Sequence, residues 1–170
     1  ETGYSEGAYA SFNCSPFSGD ELERVEKNQT LLFQSLSQAP RHLIIPFQTH
    51  GTKILPVDEK FLGASGQQQQ EMLNGIDALI TTEPGCCICI STADCIPVLL
   101  YDRVHHAVAA VHAGWRGTVE YIVGHTLEKM RAVFGTEGQD VIACIGPGIS
   151  LQSFEVGDEV YETFRLNGCL

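Results

Sequence analysis

Apolar residues recur with helical spacing in three parts of the chain. Residues 20–37 carry an apolar face at three- and four-residue intervals, with acidic residues in the first turn, and predict a helix whose N-cap is Asp20. Similar patterns predict helices over residues 119–134 and 159–166. Residues 57–75 are polar and include four consecutive glutamines, so we predict a surface loop there.

The middle of the chain instead contains short, continuously apolar runs separated by turn residues. Apolarity that continues rather than alternates is typical of strands covered on both faces. Buried strands with helices before, between and after them predict a layered α/β or α+β architecture. The predicted strands cover residues 42–47, 52–55, 77–81, 87–91, 97–102, 107–112 and 141–145.

Composition and charge narrow the class of protein. The 170 residues are 44% hydrophobic and 18% charged, which is typical of one globular domain with a core. The net charge of −11 repels phosphate backbones and argues against a nucleic-acid partner. No apolar run approaches the ~18–20 residues of a membrane span, and the first residues lack the layout of a signal peptide. We therefore expect no membrane partner and a location in the cytoplasm.

Seven cysteines are present, and four of them lie between positions 86 and 95. Adjacent Cys86 and Cys87 cannot face the same side of a strand, because strand side chains alternate. The odd number and the crowding do not indicate a disulfide framework. We expect most of these residues to be small buried hydrophobes and one or two to carry chemistry.

Three polar segments interrupt or end the predicted strands, and each contains a metal-binding or catalytic group beside small residues. Two imidazoles and one thiolate are sufficient to bind a zinc ion and to leave its fourth tetrahedral position for water or substrate. His50, Cys95 and His112 are far apart in the sequence and match no local zinc-binding spacing. Taken singly, His50 is more often a surface or capping histidine and Cys95 an inert buried thiol. His112, at the end of an apolar strand and before a glycine-rich turn, is the best candidate of the three. The segments are Gln48-Thr49-His50-Gly51, Thr92-Ala93-Asp94-Cys95 and His112-Ala113-Gly114-Trp115-Arg116-Gly117.

Residues beside the candidate ligands offer further groups. Asp94 directly precedes Cys95 and points away from that thiol if the segment is extended, so it could orient a ligand, carry a proton or cap a turn. Arg116 could clamp a phosphate or carboxylate, with a surface salt bridge as the alternative. Trp115 could stack on a base or cover the core.

Taken together, these segments resemble the YfiH-type laccase-domain family, also called multicopper polyphenol oxidoreductases and, more recently, purine nucleoside phosphorylases. The resemblance runs across nearly the whole chain, and Ala-Asp-Cys with His-Ala-Gly-Trp-Arg-Gly is its most distinctive pair of motifs. It is carried by Gly7-Ala8-Tyr9-Ala10-Ser11-Phe12-Asn13, the three segments above, Asp77-Ala78-Leu79-Ile80-Thr81, Ile145-Gly146-Pro147-Gly148-Ile149 and Phe154-Glu155-Val156-Gly157.

The resemblance implies a YfiH-like fold, a layered sandwich with a mixed central β-sheet flanked by helices. It implies that His50, Cys95 and His112 are the metal ligands, with zinc as the metal and copper as the alternative under the older oxidase name. A site of two nitrogens and one sulfur suits zinc, and a multicopper oxidase needs many more histidines than the six present. The implied roles are catalytic for Cys95, His112, Asp94 and Arg116, and substrate-binding for Asn13, Arg116 and Trp115.

Family members extend beyond both ends of this sequence. They usually carry a Thr-Arg pair before the segment where this chain begins, and they continue for some tens of residues past Leu170. The resemblance therefore implies a single YfiH-type laccase domain over residues 1–170, truncated at both ends.

The implied activity is zinc-dependent phosphorolysis of purine nucleosides with adenosine deamination in the same pocket. A metal-bound water or phosphate attacks the nucleoside, Asp94 moves a proton and Arg116 holds the phosphate. The small-molecule partners are then a purine nucleoside and phosphate, and no oligomeric state is predicted. Four alternatives stay open: an editing hydrolase of peptidoglycan precursors, a copper-dependent polyphenol oxidase, a thiol hydrolase using Cys95 with His112, and a non-enzymatic metal-binding or interaction module.

Overall fold

The computed structural model describes residues 2–169, which form two compact units. The first unit comprises the residues up to Leu43 together with Gly85–Cys87, and the second comprises Ile44–Pro84 and the residues from Ile88 onward. A single domain over residues 1–170 stays a prediction, and its two end residues lie outside the described part of the chain.

The first unit contains helix α1 (Leu22–Ser35), which lies within the predicted range. Glu21, not Asp20, occupies the N-cap position, so the predicted cap is wrong. The Asp20 carboxylate instead accepts hydrogen bonds from Ser5 Oγ at 2.6 Å and from the adjacent Glu21 N–H at 2.8 Å. An N-cap side chain must accept from the second or third amide of the helix, which this arrangement does not allow.

Asn28 of α1 joins the N-terminal segment to the helix. Its side chain is fully buried, accepts from the Tyr4 N–H at 2.7 Å, and donates to Ser5 Oγ and to the Asn13 carbonyl at 2.8 Å each. The hydrogen bonds of a fully paired buried amide offset the cost of removing it from water. The N-terminal residues are therefore held by a specific polar contact.

Two short strands, β1 (His42–Ile44) and β4 (Cys86–Ile88), form a two-stranded sheet. Both are shorter than predicted over 42–47 and 87–91. The chain after β4 is irregular because the Gln48 side chain, rather than a neighbouring strand, pairs with the backbone of Ser91. Phe47, in the predicted range 42–47, lies outside β1 and pairs with Asn74 in an isolated parallel bridge.

The second unit is built on a five-stranded mixed sheet, as expected from the resemblance. Its order is β2-β3-β6-β5-β7, where β2 and β3 are parallel and all other neighbours are antiparallel. The central position of β6 places its last residues between the first residues of β3 and of β5. The strands are β2 (Ile54–Pro56), β3 (Ala78–Thr81), β5 (Ile96–Asp102), β6 (Val108–Ala113) and β7 (Val141–Ile145).

Burial differs between the centre and one edge of this sheet. Strand β3 is fully buried and β6 nearly so, which confirms the expectation of strands covered on both faces. In β5 buried and exposed residues alternate, and the edge strand β7 is mostly exposed, with Ile145 71% accessible. The prediction of burial on both faces is therefore wrong for residues 97–102 and 141–145. Continuous apolarity reveals neither that one face of the interior strand β5 is open nor that β7 lies at the edge of the sheet.

One face of the sheet packs on helix α5 (Ile122–Phe134), whose Ile122 and Met130 join the buried core. The single helix predicted over 119–134 is divided: α4 (Trp115–Val119) precedes α5, and Tyr121 between them has a left-handed backbone (φ 59°). Such a conformation interrupts the helical hydrogen-bond ladder. The last helix, α6 (Asp158–Leu166), agrees with the prediction.

The polar segment 57–75 is helical, so the predicted loop is wrong. It contains α2 (Glu59–Leu62) and α3 (Gly66–Leu73). Asp58 caps the first helix, and Ser65 forms a capping box with Gln68 in the second. Glutamine is a good helix former, and the caps decide the outcome here. Among residues 2–169, no helix combines the length and the apolarity required to cross a bilayer.

Candidate metal centre

The sheet brings together the three residues predicted as metal ligands. The ligand atoms of His50, Cys95 and His112 all lie within 4.8 Å of one another, and the two imidazole rings are 4.8 Å apart at an angle of 74°. A zinc ion makes bonds of about 2.0–2.3 Å to nitrogen and sulfur, so donors this close need only small side-chain adjustments to share one ion. Within the described residues, no other three His, Cys, Asp or Glu side chains meet in this way.

Antiparallel register explains how Cys95 reaches His112. His112 lies near the end of β6, opposite Pro97 near the start of β5. Cys95 directly precedes β5 and so lies beside the end of β6. The long sequence separation between the two ligands is closed by one strand pairing, which is why no local spacing motif is present.

Asp77, which sequence reasoning did not single out, connects His112 with the turn that carries His50. The residue is fully buried and directly precedes β3. Its Oδ1 accepts from His112 Nδ1 at 2.8 Å, and its backbone carbonyl accepts from the His112 N–H at 2.8 Å. A charged residue at the head of a wholly apolar run was the available signal, because a buried carboxylate requires partners.

The same carboxylate binds three successive backbone amides. Oδ1 accepts from the His50 N–H at 2.9 Å, and Oδ2 accepts from the N–H groups of Gly51 at 2.8 Å and Thr49 at 3.2 Å. Burial alone raises the pKa of Asp77, but the hydrogen bonds from His112 and from these amides outweigh it and hold the pKa below its ordinary value. Asp77 is therefore a buried anion with a complete set of donors.

Gln48 ties the His50 segment to the segment that leads into Cys95. Its side chain donates to the Ser91 carbonyl at 2.8 Å and accepts from the Ser91 N–H at 2.7 Å. A primary amide that pairs both ways with one residue imitates a strand neighbour. Gln48, the first residue of the segment Gln48-Thr49-His50-Gly51, thus has a structural role in assembling the centre.

Gly114 leaves space beside all three candidate ligands. A Cβ added at Gly114 would lie 3.1 Å from His50 Cδ2, 3.2 Å from Cys95 Sγ and 3.7 Å from His112 Cε1. Its φ of −71° is open to any residue, so space rather than backbone conformation favours glycine here. Two imidazoles, one thiol and this space fit a metal ion with an open coordination position.

A cavity of about 570 Å³ opens beside the three ligands. His50 and Cys95 line it together with Asp94, Trp115 and Arg116. Much of the remaining wall is apolar, contributed by Ile96, Ala113, Ile149, Leu151, Phe154 and Phe164. Of the catalytic and substrate-binding residues predicted in the second unit, Cys95, Asp94, Arg116 and Trp115 line this space, whereas His112 is buried behind it.

Asp94 lines this cavity because the chain bends before β5 rather than running extended. Its carbonyl accepts from the Ile149 N–H at 2.9 Å, which holds the segment after β7 against the cavity. Burial raises the pKa of the Cys95 thiol, and the charges of Asp94 and Asp77 raise it further. The protein alone does not activate this thiol, whereas a bound cation favours the thiolate.

Arg116 and Trp115 form a stacked pair at the start of α4. The Arg116 guanidinium carbon lies 4.2 Å from the centre of the Trp115 ring, and Phe164 lies 6.4 Å from that ring at a 30° tilt. Among residues 2–169, no carboxylate lies within salt-bridge distance of Arg116. The structure therefore does not show the surface salt bridge that was the alternative role for this residue. The guanidinium is stacked on Trp115, and Arg116 lines the cavity without an acidic partner among the described residues.

Asn13, predicted to bind substrate, lies in the first unit. Its Nδ2 donates to Ser18 Oγ at 2.6 Å and to Asp20 Oδ2 at 3.2 Å, and its Oδ1 accepts from the Ser15 N–H at 3.0 Å. These bonds organise its own segment. A substrate contact by Asn13 stays a prediction.

Comparison with known proteins gives two informative relatives. The chain is 65% identical over 166 residues to a purine nucleoside phosphorylase of Bacteroides thetaiotaomicron, covering 98% of this chain and 62% of that protein. It is 38% identical over 158 residues to the adenosine deaminase RL5 of an unknown prokaryotic organism, covering 93% and 60%. The chain thus spans less than two thirds of the length of either relative.

The solved structure of the hypothetical protein YfiH of Bacillus licheniformis matches with a TM-score of 0.87 and 30% identity, over 97% of this chain and 62% of that one. The expected YfiH-like fold is therefore confirmed. Residues 1–168 match the family described as multi-copper polyphenol oxidoreductase laccase. The chain belongs to this family.

Proposed function

We propose that this protein is a metal-dependent enzyme that cleaves purine nucleosides with phosphate and deaminates adenosine in the same cavity. The observation that carries the proposal is the meeting of His50, Cys95 and His112 beside a cavity that also holds Arg116. The names of the two relatives, a purine nucleoside phosphorylase and an adenosine deaminase, support the same substrate class.

His50, Cys95 and His112 would hold the metal, and two nitrogens with one sulfur suit zinc. When bound, zinc supplies Lewis acidity and lowers the pKa of water toward neutrality. The chain's own contribution is to hold three donors close together and to keep the space beside Gly114 free of a side chain.

The cavity has the size and character of a small-molecule site. Its volume of about 570 Å³ lies within the roughly 300–1,000 Å³ common for such sites. Ile96, Phe154 and Phe164 provide apolar surface that excludes water from a purine ring. The polar lining residues include His50, Asp94, Arg116 and Thr118, which offer hydrogen bonds to a nucleoside and phosphate.

Arg116 binds phosphate in this scheme. Its guanidinium is planar, stacked on Trp115 and without an acidic partner among the described residues, so its paired donors are available to two phosphate oxygens. Held there, phosphate is placed for attack on the ribose carbon that bears the base. The bond between that carbon and the purine nitrogen breaks as the new carbon–oxygen bond forms.

Asp94 moves the proton. Its exposed carboxylate lines the cavity beside the ligands, where it accepts a proton from the attacking water and returns it to the departing amine. Deamination of adenosine then consumes one water and releases inosine and ammonia, with no net change in the carboxylate.

The test measures both reactions on the same preparation. Release of hypoxanthine from inosine is followed with and without phosphate, and ammonia release from adenosine is followed separately, before and after metal removal by a chelator. We expect both activities to fall on metal removal and to return with zinc. Base release that needs no phosphate, or activity that survives metal removal unchanged, would contradict the proposal.

Arg116→Gln separates the two reactions. The variant should raise the KM for phosphate by roughly 10–100-fold, as expected for loss of a charged hydrogen bond, and should leave deamination nearly intact. Arg131→Gln is the matched control, because Arg131 is an exposed arginine on α5 that pairs with Glu137 at 3.6 Å. Equal effects in the two variants would exclude a specific phosphate contact.

Polyphenol oxidation is the second candidate, and the family description favours it. Two imidazoles and a thiolate also bind copper. A cluster of several coppers needs more donors, and three of the remaining histidines contact other partners: His105 contacts Asp102, His106 contacts Tyr101 and His125 contacts Glu128. Copper found in protein purified without added metal, together with oxygen uptake on a phenol, would favour this candidate.

A further inference from the structure

The two candidate histidine ligands lie on separate segments, and the buried carboxylate of Asp77 contacts both. One oxygen accepts from the His112 ring and from the His50 amide, and the other accepts from the amides on either side of His50. We propose that Asp77 is the positioning residue of the metal centre, fixing the ring of His112 and the turn that presents His50. This inference rests on the proposed metal site.

The contact with His112 determines which ring nitrogen can bind a metal. A carboxylate that accepts a hydrogen bond from Nδ1 at 2.8 Å requires the proton on that nitrogen. Nε2 then carries the lone pair and is the metal-binding nitrogen. The additional bond from the His112 N–H to the Asp77 carbonyl fixes the backbone below the ring, so rotation and displacement are both restricted.

The contact with the turn at residues 49–51 holds His50 in an unusual conformation. His50 has a φ of 61°, in the left-handed region that residues with a Cβ rarely occupy. Three successive N–H groups converge on the Asp77 carboxylate and form a concave anion site. Without the anion, these amides lose their shared acceptor, and the turn is free to relax to an ordinary conformation that moves His50.

A second buried aspartate provides an internal control. Asp102 is also fully buried and also binds a histidine ring, since its Oδ2 lies 2.8 Å from His105 Nδ1 and its Oδ1 accepts from the Val104 and His105 amides. Neither Asp102 nor His105 belongs to the metal cluster. The loss of a buried carboxylate lowers stability at either site, whereas only the loss at Asp77 should affect metal binding. Removing one charge at each site therefore distinguishes these two effects.

The experiment compares wild type, Asp77→Asn and Asp102→Asn as full chains. Zinc affinity is measured by competition with a chelating indicator, and thermal unfolding of the metal-free proteins is recorded in parallel. We expect both variants to melt at lower temperature, but only Asp77→Asn to lose zinc affinity, by roughly 10–100-fold. Wild-type affinity in Asp77→Asn, or an equal loss in Asp102→Asn, would overturn the inference.

A measurement on the wild type keeps the inference testable if Asp77→Asn does not fold. Long-range proton–nitrogen correlation spectra of the histidine rings should show His112 with its proton on Nδ1, both without metal and with zinc. A proton on Nε2 would overturn the inference. A wild-type protein that binds no zinc contradicts the proposed centre itself, whereas zinc binding with the wrong tautomer contradicts only the role of Asp77.

Discussion

Two buried aspartates of the second unit each pair with a histidine ring, and only one of these pairs belongs to a candidate site. Asp77 with His112 and Asp102 with His105 have the same 2.8 Å contact between a carboxylate oxygen and Nδ1. Each aspartate also accepts from backbone amides of a neighbouring turn. The local chemistry of the two pairs is therefore closely similar.

The pairs differ in what the second ring nitrogen meets. His112 is 3% exposed and lies beside His50 and Cys95, whereas the His105 side chain is 37% exposed, with its Nε2 near Gly135. His105 follows Asp102 within one turn, while His112 meets Asp77 through the pairing of β3 with β6. A carboxylate–imidazole pair satisfies a buried charge in both places, and it contributes to a site only where strand pairing adds further donors.

The largest expected difference between the pairs comes from removing each ring. His112→Ala should abolish measurable zinc binding and lower both nucleoside activities by more than the roughly 10–100-fold typical for loss of an outer partner. His105→Ala should keep zinc binding, because His105 contacts none of the three ligands. Isothermal titration with zinc and the two activity assays check this. Full activity in His112→Ala would show that His112 is not a required metal ligand and so does not differ from His105 in this respect.

The space beside the ligands gives the next largest effect. Gly114→Ala places a methyl group 3.1–3.2 Å from His50 and Cys95, and overpacking of this kind costs about 1–3 kcal/mol. We expect zinc affinity to fall by a corresponding factor of roughly 10–100. Gly138→Ala is the control, since a Cβ there meets nothing within 4 Å. Equal zinc affinities in the two variants would show that Gly114 does not shape the centre.

The next effect in size is the pH dependence of the stability that the Asp102 carboxylate contributes. Burial raises the pKa of Asp102, but interactions with the Thr136 hydroxyl and hydrogen bonds from His105 and Val104 more than offset this and hold the pKa below its ordinary value. The resulting stability is present above the unfolded-state value of about 3.9 and is lost as pH falls through the folded value. The stability gap between wild type and Asp102→Asn should therefore shrink as pH falls below about 4. Urea unfolding at several pH values measures the gap, and a constant gap would contradict this cause.

The smallest effect is expected for a third pair that lies on the surface. His125 and Glu128 of α5 approach to 3.4 Å, with 52% and 79% of their side chains exposed. Solvent screens such a pair, so His125→Ala should change the free energy of unfolding by no more than about 0.5 kcal/mol. Denaturant titration at neutral pH checks this value. A larger loss of unfolding free energy would mean that burial does not determine how much each of the three pairs contributes to stability.

Apolar patterns predicted the buried centre of the sheet, and the three residues that the family resemblance implied as metal ligands lie together beside it. Strands β3 and β6 read as continuous apolar runs because both of their faces are covered, and the ligands stand in motifs at the ends of such runs. Edge position is not encoded in apolarity, so the exposure of β7 was not predicted. The helices in 57–75 depend on the caps at Asp58 and Ser65, which a count of polar residues overlooks.

Asp77 was not predicted because its role depends on two long-range contacts. In the sequence it appears only as the polar residue before an apolar strand, and its partners Thr49 to Gly51 and His112 are brought to it by the sheet. The split between α4 and α5 at Tyr121 likewise has no helix-breaking residue as a signal, since no proline or glycine stands there. Tertiary contacts supply what local patterns lack.

The most direct test of the account is X-ray absorption at the zinc edge on protein loaded with one equivalent of zinc. We predict one sulfur at about 2.3 Å and two imidazole nitrogens at about 2.0–2.1 Å, with one further light ligand. The sulfur signal should disappear in Cys95→Ser. Zinc that shows no sulfur in its coordination shell, or protein that retains no zinc at this ratio, would contradict the assignment of His50, Cys95 and His112 as one metal centre.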